Sequence, residues 1–182
     1  MLPIGPLMKE HRKIERMVAL ITEEAERLAD DESEEPDPEF IEAALLFMRE
    51  YADQCHHGKE EDILFVALEE YDISDEHQQI VERLLGDHEQ GRELSADLEA
   101  ATEKYVAGDE SAREEIVEML QGLAELYPDH IATEDDNFFI PVMDYFTDEE
   151  KEEMMDRMWD FDHELLTEIY ESCITIYEAK ND

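Results

Sequence analysis

His57 and Glu61 stand four residues apart in CHHGKEEDILF, and His130 and Glu134 repeat that spacing in YPDHIATEDDNFF. At i,i+4 on an α-helix two side chains share a face, with Cβ atoms about 5–6 Å apart, so each pair can reach a single metal centre. If the two helices face each other, both pairs converge on one buried point, an arrangement that suits a pair of iron ions. Imidazole and carboxylate donors suit iron, with manganese or zinc as alternatives. The spacing alone is a weak signal, because four of the seven histidines have Glu at i+4 in a chain with 54 acidic residues.

These pairs need helices to carry them, and apolar residues do recur at helical spacing along most of the chain. No strand-period segment of useful length competes. The first helix is expected from about Ile4 to Leu28, with Leu7, His11, Ile14, Val18 and Ile21 on one stripe. An acidic loop from Asp30 to Pro38 leads into a second helix reaching about Tyr71, its start marked by prolines. Gly58 inside that helix costs about 1 kcal/mol against Ala, which points to close packing or a bend. Ser74 caps a third helix that stops at Gly108. A fourth starts near Asp109 and carries Pro128, a kink site, just before His130. Thr147 and Glu150 form a capping box for a fifth helix reaching about Glu178. Four long helices with short connections imply an all-α fold, an up-down-up-down four-helix bundle with an additional C-terminal fifth helix. The expected organisation is a single domain over residues 1–182, with the bundle in 1–145 and the extra helix in 147–180.

A rise of about 1.5 Å per residue turns position along a helix into height. Measured from one end of such a bundle, His57, His88 and His130 come to about 20–21 Å, and Glu61 and Glu134 to about 14–15 Å. His11 sits lower, at about 10–16 Å. Carboxylates buried at one depth are costly without a cation. The candidate metal ligands are therefore His11, His57, Glu61, His88, His130 and Glu134. His77, about 5 Å from its helix start, falls outside the layer. His56 is level but about 100° round the helix from His57, which places it on the surface or in a second layer. His163 is level on the outer fifth helix, and Glu15 follows His11 by four as an extra carboxylate. Tyr127 and Asp87 are candidates to orient ligands from outside. The run Met154, Met155, Met158 with Trp159 reads as packing surface.

The net charge is −40, from 54 acids against 14 bases. Such a surface repels nucleic acid and anionic lipid, so neither a nucleic-acid nor a membrane partner is expected. Solvated helix faces account for it, and a salt-loving host would screen the self-repulsion. No run of 18 apolar residues exists, and MLPIGPLMKEHRK lacks the apolar core of a signal peptide, so a cytoplasmic setting is expected. Cys55 and Cys173 form no CxxC, which excludes a zinc ribbon or rubredoxin-type iron site. A disulfide between them is not expected there.

The segments LMKEHRKIE, CHHGKEEDILF, LLGDHEQGR and HIATEDDNFFIP, in that order, resemble the hemerythrin-like, HHE cation-binding family across most of the chain. The resemblance implies a non-haem di-iron centre, oxo- or hydroxo-bridged, with His11, His57, His88 and His130 as ligands and Glu61 and Glu134 as bridges. It implies binding or sensing of a small diatomic ligand, oxygen or nitric oxide. An oxidoreductase acting on oxygen, nitric oxide or peroxide is the alternative, as is an iron-storage or metal-holding protein. Nothing specific to catalysis is legible, which favours a binding protein over an enzyme. Oxygen-carrying members use five histidines, with HxxxH on the third helix. Here Leu84 and Arg92 stand at those offsets from His88, so the fifth imidazole is missing there, and His163 or Glu15 is left to substitute. The ExxH pair of ferritin-like carboxylate proteins occurs around none of the seven histidines.

Overall fold

A computed structural model describes residues 2–31 and 33–179, with side chains described as far as Leu165; the Cys173 thiol lies outside the described residues. Helix α1 spans Ile4–Asp30. The next rod opens as α2, Pro38–Phe47, where Asp37 accepts the backbone N–H groups of Glu39 and Phe40 at 3.1 and 3.2 Å. Pro38 sits in the first turn, where its missing N–H leaves no bond unmade. The rod then winds as a π-helix over Met48–His57 and Glu60–Phe65 and closes in the short α3, Val66–Leu68. It therefore ends short of Tyr71.

Helix α4 covers Asp75–Val106, and the Ser74 hydroxyl accepts the His77 N–H at 3.2 Å, a cap worth about 1 kcal/mol. Gly108 ends it with φ of 100°, a backbone conformation that a side chain disfavours. Helix α5 starts at Ala112 rather than near Asp109, because the Asp109 carboxylate accepts the Ser111 N–H at 3.1 Å and holds a turn. It runs to Thr133 and passes into a second π-helical stretch, Glu134–Phe138. Helix α6, Phe139–Val142, and a 3-10 turn, Met143–Tyr145, follow. Helix α7 is Asp148–Ala179. Its capping box is complete: Glu150 N–H donates to Thr147 Oγ1 at 3.3 Å, and Thr147 N–H to Glu150 Oε2 at 2.7 Å.

The elements are all helical, with no strand among the described residues, and no described helix is long and apolar enough to cross a membrane. Helix α5 packs against α1 and α4, and the second rod packs against both α4 and α1. Helix α7 packs on the Glu60–Phe65 stretch. Two apolar clusters fill the interior. One gathers Ile14, Val18, Met48, Ala52, Leu98, Leu123 and Tyr127. The other gathers Ile4, Leu7, Ile63, Leu64, Leu84, Phe138, Met154 and Met158. Between these clusters each rod carries buried polar residues, and they make up the site.

Candidate metal centre

Between Leu7 and Ile14, α1 carries His11; between Ala52 and Ile63, the second rod carries His56, His57 and Glu60. Helix α4 adds His88, α5 adds His130, and the π-helical stretch after it adds Glu134. All seven are at most 3% exposed. Their donor atoms fall into two groups, each with ligand atoms within 4.8 Å of one another: His57, Glu60, His88 and His130, and His11, His56, Glu60 and Glu134. Glu60 belongs to both. Its Oε2 lies 3.4 Å from His88 Nε2 and its Oε1 lies 3.4 Å from His56 Nε2. Glu134 Oε2 also stands between the groups, 3.1 Å from His11 Nε2 and 3.4 Å from His130 Nε2.

The structure thus brings together His11, His57, His88, His130 and Glu134, but not Glu61. Two corrections follow from one cause. Glu61 was expected to point inward and His56 outward on a uniform α-helix. The second rod is π-helical here, bonded i→i+5, so it turns less per residue and its facing register shifts. His56 and His57 both face the interior, and Glu60 takes the place expected for Glu61. The sequence did hold a signal for this: His56 and Glu60 are themselves an HxxxE pair, one residue out of register with the other. Glu15 is paired with Arg12 at the surface, and His163 is exposed on α7; neither enters a group.

Outside the imidazoles stands a ring of carboxylates. His11 Nδ1 is 2.8 Å from Asp135, His56 Nδ1 2.9 Å from Glu10, and His88 Nδ1 2.7 Å from Glu61. His57 Nδ1 lies 3.4 Å from Asp53, and His130 Nδ1 3.5 Å from Asp87. On His11, His56, His57 and His88 the carboxylate hydrogen-bonded to Nδ1 keeps the proton there and turns the Nε2 lone pair toward the centre, as metal-binding histidines need, whereas His130 Nδ1 makes no hydrogen bond. Glu61 therefore stands behind His88, on its Nδ1, and not between the two groups. Cations back the ring in turn: Arg12 pairs with Asp135, Arg83 with Asp87, Arg92 with both Asp53 and Glu61, and Lys59 with Glu10. Four of only 14 basic residues are committed to this layer.

Without a cation, the centre does not balance. His57 Nε2, His88 Nε2, His130 Nε2 and both oxygens of Glu60 and Glu134 are buried with no hydrogen-bond partner. At about 1–3 kcal/mol for each unmet group, these seven atoms cost as much as the roughly 5–15 kcal/mol net stability of an ordinary domain. Metal cations fit the donor set. Burial holds His57 and His130 below the ordinary imidazole value and brings His11 to about 4, so these rings keep free lone pairs. Burial, reinforced by the Glu60 carboxylate, pushes Glu134 well above the usual carboxyl range. Burial also opposes charge on Glu60 and His88, but here the partners prevail. His56 and His88 bring Glu60 down to about 2, and Glu60 and Glu61 raise His88 to about 9. The metal-free site thus retains protons on Glu134 and His88, where metal charge would replace them.

The hemerythrin HHE cation-binding domain matches residues 2–140 of this chain. The chain belongs to the hemerythrin HHE cation-binding family. Uncharacterized proteins of Mycobacterium tuberculosis and Mycobacterium bovis are 29% identical over 158 residues, covering 86% of this chain. The chain spans 60% of the length of these mycobacterial relatives. No solved structure matches. For a hemerythrin-family domain, the imidazole count has a structural answer. Leu84 and Arg92 leave α4 with His88 alone, but His57 beside His56 supplies a fifth imidazole, and the five divide three and two between the groups.

Proposed function

We propose that this hemerythrin-family chain holds two iron ions in one non-haem di-iron centre, where it binds or senses a small diatomic molecule, oxygen or nitric oxide. The observation that carries the reading is Glu60, one oxygen turned to each histidine group. His57, His88 and His130 would hold one ion and His11 and His56 the other, with Glu60 and Glu134 serving both. Iron bound there supplies redox chemistry and affinity for small diatomics.

The protein's own part is positioning and access. The Nδ1 carboxylates lock the rings, and the buried apolar clusters on either side keep water from the donor atoms. A cavity of about 110 Å³, lined by Asp53, His57, His88, Gly91, Arg92 and Tyr127, leads to the three-histidine side. That volume has room for a diatomic molecule with water beside it. The reading includes an up-down-up-down bundle in a single domain. The two apolar clusters support it, since α1 and α4 pass them in one order and the second rod and α5 in the other. A cytoplasmic setting suits the free Cys55 thiol.

Metal analysis of the purified chain, followed by oxygen addition to the anaerobic ferrous protein, tests this. Two irons per chain and a visible absorption band that comes and goes with oxygen or nitric oxide are expected. Irreversible oxidation with peroxide turnover would move the assignment to an enzyme, and a colourless zinc protein would remove iron from it.

A further inference from the structure

Of the four cations behind the carboxylate ring, one differs. Arg12, Arg83 and Arg92 have side chains 57%, 46% and 42% exposed, whereas that of Lys59 is 0% exposed. Lys59 Nζ donates to Glu10 Oε1 at 2.5 Å and to Asp162 Oδ1 at 2.8 Å. The other oxygen of Glu10 accepts from His56 Nδ1 at 2.9 Å. Asp162 lies on α7, beyond residue 140 where the family match ends. Cys55 Sγ donates to the same Asp162 oxygen at 3.3 Å. Beside these contacts, a Cβ on Gly58 would stand 2.7 Å from Phe161 Cζ, so a side chain at residue 58 would displace the ring by which α7 packs there. Glu10, Cys55 and Asp162 lie close enough to hold a cation, and the Lys59 ammonium is that cation.

We propose that Lys59 latches α7 to the metal centre, so that metal occupancy on the His11–His56 side and docking of α7 strengthen each other. The inference rests on the metal-centre reading above. A metal on His56 Nε2 fixes the ring with its Nδ1–H on Glu10. Glu10, so held, fixes Lys59, whose remaining partner is Asp162. A buried ammonium needs both carboxylates, so loosening either end weakens the other. By linkage, whatever free energy metal binding adds to α7 docking, docked α7 returns to metal binding. Glu10 and Lys59 are thus positioning residues for the His11–His56 side.

Ferrous iron titrated anaerobically into the metal-depleted full chain, with hydrogen exchange followed at amides 154–164, tests the latch. In the natural protein, two irons are expected to bind and to slow exchange across that segment. In Asp162→Asn the tighter-bound iron is expected to stay, the second to bind about tenfold or more weakly, and the metal-dependent slowing to vanish. Two irons bound with α7 exchange unchanged overturns the latch alone, and the natural protein suffices for that outcome should the variant not fold. Equal affinity of the variant and the natural protein for both irons overturns it as well. A natural protein that takes up no metal overturns the metal centre and the latch together.

Discussion

Tyr127 lies nearly parallel to His57, ring planes 11° apart and centroids 6.3 Å apart. The stacking sets the phenol of α5 against the cavity beside the three-histidine group. A Cβ on Gly91 would come within 3.1 Å of the Tyr127 hydroxyl oxygen. Tyr127→Phe removes one donor from that cavity and no metal ligand. Two metals per chain should remain, while nitric oxide affinity falls by up to about tenfold, the worth of one hydrogen bond. Unchanged affinity in an optical titration would mean that the phenol does not face the ligand.

Glu60 and Glu61 are neighbours with opposite expected behaviour. Glu60→Gln takes charge from the carboxylate shared by both groups, and dialysed protein should lose both metals. Glu61→Gln only loosens His88, so metal should remain with affinity about 10–100-fold lower. Elemental analysis of the two variants decides the register. Metal kept by the Glu60 variant and lost by the Glu61 variant would restore the uniform α-helical alignment.

The metal-free protein should lose stability as pH rises from about 7.5 to 9. His88 has a folded value raised to about 9, and Glu134 is raised well above the carboxyl range. A raised group binds more protons folded than unfolded, so its stabilisation is whole below the unfolded value and fades as pH climbs through the folded one. His11, His57 and His130, all lowered, take up protons on unfolding only below about pH 7.5, so above it they add almost no slope. Loading metal should flatten the profile and release protons near pH 7.5, that of His88 among them. Thermal melts across the window, and calorimetry in buffers of different ionisation enthalpy, check both. A metal-free melting temperature that rises toward pH 9 would contradict the sign.

Salt should stabilise the fold. With a net charge of −40, the folded chain repels itself, and the Debye length falls from about 10 Å at 0.1 M to about 3 Å at 1 M. Each kcal/mol of relieved repulsion should raise the melting temperature by roughly 2–4 °C for a chain of this size. Equal melting in 0.1 M and 1 M potassium chloride would show that the acids are already balanced by their local pairs.

Much of this protein can be read from its amino acids because helix signals are local. Ser74, Gly108 and the Thr147–Glu150 box mark helix ends within a few residues, and the stripes through His11, His88 and His130 follow a period of 3.6. The two clusters with a polar layer between them are visible the same way, since Leu7, His11 and Ile14 already alternate along α1. His56 faces inward, against that period, because the second rod winds as a π-helix there.

By itself, then, the chain of residues determined an all-helical protein with imidazoles and carboxylates at a common depth. Tertiary structure decided which of two adjacent carboxylates faces the centre, because a change from α- to π-winding moves a side chain as far round the rod as the step between Glu60 and Glu61. It also decided what stands behind each imidazole. Asp135, Glu10, Asp53, Glu61 and Asp87 take those places, with Lys59 reaching on to Asp162, and four of these five carboxylates come from a different rod or a different turn than simple spacing would choose. Spacing along a helix fixes neighbours on that helix alone, whereas the partner of a buried charge is whichever opposite charge packing brings within about 3 Å.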